Sequence, residues 1–265
     1  MKNSPLKTFI KNILLIPAYR AYQIKLETDI KRGPIPRCIG VIMDGNRRWA
    51  MGEGRLPWEG HREGKAKVRE FLEWCTEIGI RSVVLYSFST ENFKRKKEEV
   101  DELMNLFKQG FRELSSDPTI MEKGVRIKLI GKRELLPQDV LKEIQLVEEK
   151  TAKNKNYDLA FAIAYGGREE ILHACRTIAE RVREGKVEIN SIDEELFRKH
   201  LYTSDIPDPD MIIRTSGEQR LSGFLPWQTT YSELFFVDVH WPAFRKIDFL
   251  RLIRSFQQRE RRIGS

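Results

Sequence analysis

The sequence predicts an α/β domain: a mainly parallel six-stranded sheet flanked by helices. Two observations carry this. Six short apolar runs are spaced along the chain, and each is continuous rather than alternating, as in strands buried on both faces. Between them lie long stretches whose apolar residues repeat at three and four positions, the period of an amphipathic helix. Strand–helix alternation with crossovers of this length closes most simply as parallel strands covered by helices.

The strands are expected at Cys38–Met43, Ser82–Phe88, Val125–Ile130, Leu159–Ala164, Asp210–Arg214 and Leu234–Val239. A helix fits Glu59–Ile78 after the first strand. Val100, Leu103, Phe107, Phe111 and Leu114 form the stripe of the next, and Leu136, Val140, Ile144 and Val147 that of a third. Ile171, Cys175, Ile178 and Val182 mark a fourth, and Asp248–Arg262 a last. There is no internal repeat, low-complexity linker or break in composition. The reading is therefore an N-terminal basic extension over 1–36 and one catalytic-sized domain over 37–265.

Composition is that of a soluble globular chain, 40% hydrophobic and 32% charged over 265 residues. The net charge of +8 suits a polyanion, an anionic membrane surface or a phosphorylated small molecule, without choosing among them. Near the N-terminus the longest apolar run, Ile13–Ile16, stops at Pro17. It is too short for a membrane span or a signal-peptide apolar region. Phe9, Ile10, Ile13, Leu14 and Tyr19, mixed with Lys7, Lys11 and Arg20, suit either a membrane-surface helix or a helix packed on the domain. Cys38, Cys75 and Cys175 are far apart with no Cys-x-x-Cys, which disfavours a metal site or a disulfide framework. All three are read as core residues, and a reducing cytoplasm is the expected location.

Open parallel sheets bind ligands beyond the C-terminal ends of their strands. Four of the six ends here are polar: Asp44-Gly45-Asn46-Arg47-Arg48, Ser89-Thr90-Glu91-Asn92-Phe93, Tyr165-Gly166-Gly167-Arg168 and Arg214-Thr215-Ser216-Gly217-Glu218. Gly45 permits a tight turn, and the amides after it can point at an anion. Arg47 and Arg48 can grip phosphate oxygens in two-pronged fashion. Among such groups Asp44 makes most sense holding Mg²⁺, a hard cation that bridges protein to phosphate. Arg214, Arg220 and Ser222 resemble a second anion cradle, and Glu233 either caps a helix or reaches a metal. Ser89, Asn92 and Arg95 lie beside Phe88 and Phe93, so polar positioning and apolar contact share one loop. His61 opens a helix and could face phosphate; His173 and His240 read as packing residues. The sum is two phosphate clamps, one or two carboxylates and bulky apolar neighbours, suited to a substrate with a diphosphate head and a greasy tail. Standard signatures are missing. Gly60-x-x-x-Gly64-Lys65-Ala66 is one residue short of a P-loop and lacks its hydroxyl residue, and no Gly-x-Gly-x-x-Gly follows a strand. Nucleic-acid motifs are also missing, so the basic surface is not assigned to RNA or DNA.

The segments "MDGNRRWA", "GHREG", "YSFSTENFKR", "AYGGREEI", "IIRTSGEQRLSGFLPWQTTYSELFF", "WP" and "RERRIG" stand in the order and spacing of the cis-prenyltransferases. The chain resembles that family, the undecaprenyl diphosphate synthases, over about residues 36–264, and "RGPIPR" looks like its archaeal members. The resemblance implies a dimeric α/β enzyme with an apolar product tunnel. It would use Mg²⁺ to condense isopentenyl diphosphate with an allylic prenyl diphosphate, geranylgeranyl or farnesyl, into a cis-polyprenyl diphosphate that serves as a glycosyl carrier precursor. It implies that Asp44 manages the diphosphates with the metal. Gly45, Asn46, Arg47, Arg48, Trp49 and His61 would surround the allylic diphosphate. Ser89, Thr90, Glu91, Asn92, Phe93 and Arg95 would form a loop closing over substrates, with Asn92 involved in proton removal. Arg214, Arg220, Leu221 and Ser222 would clamp isopentenyl diphosphate. Glu233 would join Asp44 as a metal ligand, and Arg262 and Gly264 would reach across a homodimer. Release of a long lipid would bring the enzyme to the membrane periphery.

Four positions depart from the family pattern: Pro57 stands where many members have arginine, with Arg55 nearby as a substitute, and Phe93, Lys132 and Gln219 also differ. They bear on substrate and regiochemistry, and keep open a condensation between two allylic diphosphates. A non-catalytic partner subunit is a third reading, disfavoured because Asp44, Asn92 and Glu233 are all present.

Overall fold

The computed structural model describes residues 20–259. Six strands form one sheet: β1 (Cys38–Ile42), β2 (Ser82–Ser89), β3 (Val125–Ile130), β4 (Tyr157–Tyr165), β5 (Met211–Arg214) and β6 (Glu233–Phe236). Their order is β3-β4-β2-β1-β5-β6, and every pairing is parallel. The expected sheet is thus present, without an antiparallel member. β1 and β5 are buried at every position, which is why their runs never alternate with polar residues.

The helices are α1 (20–30), α2 (Asn46–Gly52), α3 (Glu59–Ile78), α4 (Lys97–Ser116), α5 (Pro118–Glu122), α6 (Gln138–Thr151), α7 (Gly167–Arg183), α8 (Glu194–Arg198) and α9 (Lys246–Gln258). α3 matches its predicted bounds, because its apolar stripe is unbroken and Gly79 ends it in a left-handed conformation. The main core lies between one sheet face and α3, α4, α6 and α9, with Phe71, Leu103, Phe111, Ile144 and Phe249 buried in it. Leu26 and Ile30 of α1 enter the same core. On the other face Phe224, Leu225 and Ile206 cover Cys38, Val84 and Ile212.

Cys175 is exposed, not a core residue. On α7 the buried positions are Gly167, Glu170, Ala174 and Ile178; Ile178 holds its predicted place and Ile171 and Val182 are half-buried, but Ala174 is buried where Cys175 was expected. His173 is also exposed and stacks on Tyr202. The N-terminal residues proposed for a membrane-surface helix, Phe9 to Tyr19, lie outside the described residues. Among the described residues no helix is long and apolar enough to cross a membrane.

Candidate active site

β1 ends at Ile42, which pairs in register with Arg214, the last residue of β5. The chain then turns through Asp44 and Gly45. Gly45 has φ 97°, and a Cβ there would stand 2.6 Å from His240 Nδ1, so only glycine fits this corner. The turn leaves Asp44 at the C-terminal edge of the sheet, beside Arg214. Its Oδ2 accepts from the Arg214 guanidinium at 2.9 Å; Oδ1 accepts from the Gly45 amide at 2.7 Å and Arg48 at 3.2 Å. Burial acts to raise the Asp44 pKa. The hydrogen bond and charge of Arg214, then Arg48, outweigh it and hold the carboxyl below its usual range. Asp44 is therefore an anion at neutral pH.

Arg214 is almost wholly buried. Besides Asp44 it donates to Ser222 Oγ at 2.8 Å and to the Arg220 carbonyl. One guanidinium thereby joins two loops that sequence separates, and its Nε has no partner among the described residues. Glu218 pairs with both Arg48, at 3.4 Å, and Arg220.

A second cluster faces this one. Glu99 of α4 is 8% exposed, and its Oε1 lies 2.9 Å from Arg95, 3.4 Å from His61 Nε2 and 3.7 Å from Arg47. Burial, then the charge of Arg95, lower the His61 pKa below the ordinary histidine value against the opposing pull of Glu99. Asn92 Oδ1 accepts from the Ser89 amide at 3.0 Å, and Ser89 and Asn92 form a capping box on the 3₁₀ turn Thr90–Lys94. That bond fixes the loop carrying Arg95.

A polar cavity of about 890 Å³ opens over these groups. Its walls include Asp44, Gly45, Asn46, Arg47, Arg48, His61, Ser89, Thr90, Glu91, Asn92, Arg95, Arg214 and Ser222, all predicted. Beneath it, between α3, α4 and the sheet, lies an apolar cavity of about 400 Å³ lined by Val68, Leu72, Leu106, Phe107, Phe111, Leu114 and Phe161. Met43, Asn46, His61, Ser87 and Leu103 line both.

Other predicted residues stand away from the cavity walls. Arg55 pairs with Glu63 at 3.0 Å and lies over the Trp49 ring, so it stacks on α2. Phe93 packs edge-on against Phe88, and Leu221 against the second core. Arg220 contributes its carbonyl to Arg214 and its side chain to Glu218. Glu233 opens β6 opposite Met211, at the other end of the strands from Asp44, and pairs with Arg259. One chain therefore does not bring Glu233 to Asp44. Arg262 and Gly264 lie outside the described residues. His240, read as a packing residue, is 2.9 Å from Ser216 Oγ.

Sequence reasoning missed Glu99, whose only trace is Arg95-x-x-x-Glu99, a spacing that usually means a surface ion pair. It placed Arg168, which lines the polar cavity, at a ligand-edge strand end without giving it a role, and it missed Tyr86, whose hydroxyl donates to the Ser222 carbonyl at 3.3 Å.

Among the described residues no three His, Cys, Asp or Glu side chains cluster as a metal cage. Magnesium does not require one, because it commonly takes one or two carboxylates and completes its shell with water and substrate phosphate. Asp44, its side chain 28% exposed at the cavity edge and flanked by Arg48 and Arg214, fits that donor set.

Residues 42–264 match the family model described as "Putative undecaprenyl diphosphate synthase". The chain is 54% identical over 255 residues to the tritrans,polycis-undecaprenyl-diphosphate synthase (geranylgeranyl-diphosphate specific) of Pyrococcus horikoshii, covering 96% of this chain and 97% of the relative. It is 51% identical to the Thermococcus kodakarensis protein of the same name, covering 98% of each. The crystal structure of lavandulyl diphosphate synthase from Lavandula x intermedia, in complex with dimethylallyl diphosphate, superposes with a TM-score of 0.82. That match has 33% identity and covers 86% of this chain and 97% of that one.

Proposed function

The chain belongs to the undecaprenyl diphosphate synthase family and is a cis-prenyltransferase, and we propose that it extends geranylgeranyl diphosphate with isopentenyl diphosphate into a long cis-polyprenyl diphosphate. One observation carries the reading: the cation-lined polar cavity and the apolar cavity share Met43, Asn46, His61, Ser87 and Leu103. A molecule with a diphosphate head and a hydrocarbon tail can occupy both at once.

In each cycle the allylic C–O bond breaks, its C1 joins C4 of isopentenyl diphosphate, and a proton leaves C2. Diphosphate is released, and the product is again an allylic diphosphate. Negative charge grows on the departing diphosphate, and fixed cations in a partly dry cleft stabilise that charge best. Arg47, Arg48 and His61 serve the allylic head; Arg214, Arg220 and Ser222 serve isopentenyl diphosphate. Asp44 and phosphate oxygens would hold Mg²⁺, which when bound neutralises leaving-group charge. Asn92 has no basic atom at neutral pH. We assign it to holding the loop and orienting substrate, with diphosphate oxygens as the nearest bases for the C2 proton.

The tail enters the apolar cavity, where each buried CH₂ contributes roughly 0.8 kcal/mol without directional contacts. The bulk of lining residues such as Leu114 on α4 and Val125 on β3 then limits product length. Identity of 54% to the Pyrococcus horikoshii undecaprenyl synthase, against 33% to the lavandulyl enzyme, weighs for elongation over allyl–allyl condensation. We extend the reading to a homodimer in which Glu233, Arg262 and Gly264 act, and to peripheral membrane contact. Sedimentation and flotation with anionic vesicles test these two points.

The main test is incubation with Mg²⁺, labelled isopentenyl diphosphate and dimethylallyl, geranyl, farnesyl or geranylgeranyl diphosphate. Products growing in five-carbon steps from geranylgeranyl diphosphate, with new cis double bonds and none in chelator, are expected. Label-free condensation of two allylic molecules would refute the elongation reading.

A further inference from the structure

Ser216 is 6% exposed and has φ +79°, a conformation that glycine adopts freely and serine does not. Its hydroxyl lies 2.9 Å from His240 Nδ1. A serine at a position easier for glycine gives up conformational ease and keeps a hydroxyl, and among the described residues that hydroxyl meets the His240 imidazole.

The pair sits directly under the turn that presents Asp44. A Cβ built on Gly45 would stand 2.6 Å from His240 Nδ1 and 2.9 Å from Ser216 Oγ, so both side chains press on the Gly45 Cα. The Gly45 amide in turn holds Asp44 Oδ1 at 2.7 Å. The neighbours of the pair grip Asp44 itself: Thr215 Oγ1 donates to the Asp44 carbonyl at 2.7 Å, and the Trp241 backbone amide donates to it at 3.0 Å. The residue before Ser216 and the residue after His240 thus fasten the Asp44 main chain, and the side-chain pair ties the two segments together beneath it.

We propose that Ser216 and His240 are positioning residues for Asp44. Their side-chain pair locks the Gly45 turn and so aims the carboxylate at the substrate diphosphates. The proposal rests on the reading of Asp44 given above. The pair touches no substrate in this account and acts only through the turn.

The test compares Ser216→Gly, His240→Ala, His240→Asn, the Ser216→Gly/His240→Ala double variant and Asp44→Ala in the full chain. The measurements are kcat, KM for isopentenyl diphosphate and the thermal midpoint. Ser216→Gly relieves the backbone and should raise the midpoint while lowering kcat about tenfold, with KM changed less than twofold; tenfold corresponds to about 1.4 kcal/mol of barrier. His240→Ala should lose a similar factor, and the double variant no more than either single change, because the two act as one unit. His240→Asn places a carboxamide atom near the position of Nδ1 and should recover to within about threefold of wild type. A Ser216→Gly enzyme with kcat within twofold of wild type overturns the proposal. So does a His240→Asn enzyme no better than His240→Ala, or activity that merely follows the midpoint through the series. Asp44→Ala separates the two levels: if it turns over normally, the reading of Asp44 fails, whereas a dead Asp44→Ala beside an unimpaired Ser216→Gly sinks only the positioning pair.

Discussion

Gly110 offers a direct test of whether the apolar cavity holds the growing chain. It lies inside α4 and lines that cavity, and a Cβ built there meets nothing closer than Lys65 Cε at 3.7 Å. Glycine in a helix interior costs roughly 0.5–1 kcal/mol relative to alanine. Gly110→Ala should therefore stabilise the fold by about that amount and raise the melting midpoint by about 1–4 °C. Gly110→Leu or Gly110→Trp extends the same space into the cavity. One isoprene unit carries five carbons, so denying a unit its apolar seat costs roughly 4 kcal/mol, at about 0.8 kcal/mol per carbon. That is near a thousandfold against the last condensation that needed the space, at about 1.4 kcal/mol per tenfold. The product distribution should shift shorter by at least one unit with Leu and more with Trp, while the first condensation keeps its rate. The assay is reversed-phase separation and mass measurement of dephosphorylated products, with melting followed in parallel. A folded Gly110→Trp enzyme making wild-type products would refute the tail's placement. A lower midpoint for Gly110→Ala would refute the reading of Gly110 as an open helix position.

Arg214→Lys should keep a charge beside Asp44 but lose the fork that holds Asp44, Ser222 and the Arg220 carbonyl together; kcat/KM for isopentenyl diphosphate is expected to fall about 10²–10³-fold in initial-rate assays. Glu170 is fully buried and accepts from Tyr165, Gln228 and the Tyr202 amide, so Glu170→Ala should destabilise by about 3 kcal/mol or more in denaturant unfolding, because it strands several buried donors. His61 has a depressed folded-state pKa, so its contribution to stability is complete above the ordinary value of 6.5 and is lost as pH falls from there through the folded pKa. NMR titration of the His61 ring should give a midpoint below 6.5, and Glu99→Gln should lower it further by removing a carboxylate that opposes the shift.

The strands, the long helices and the polar strand ends were legible because each is written in local periodicity. A continuous apolar run means a doubly covered strand, and a parallel sheet puts its strand ends on one edge. That is enough to assemble Asp44, Arg48, Asn92, Arg214 and Ser222 before any coordinate is known. Periodicity also left one choice open: residues 174 and 175 stand about 100° apart, one on each side of the line through Ile171 and Ile178, and only packing decided that Ala174 goes in and Cys175 out.

The rest depended on distance along the chain. Arg214 meets Asp44 across 170 residues, Glu99 meets His61 across 38, and Ser216 meets His240 across 24. No local pattern encodes such partnerships, so Glu99 reads as a surface charge and His240 as filler until the sheet order brings their partners in. The same order carries Glu233 to the opposite end of the strands, because parallel register aligns it with Met211 rather than Arg214. By itself the sequence determined which residue types reach the ligand edge, through the fixed geometry of parallel strands. Only the tertiary structure decided which of them touch, because a hydrogen bond is settled within about an ångström, and a residue's place in sequence leaves that distance undetermined.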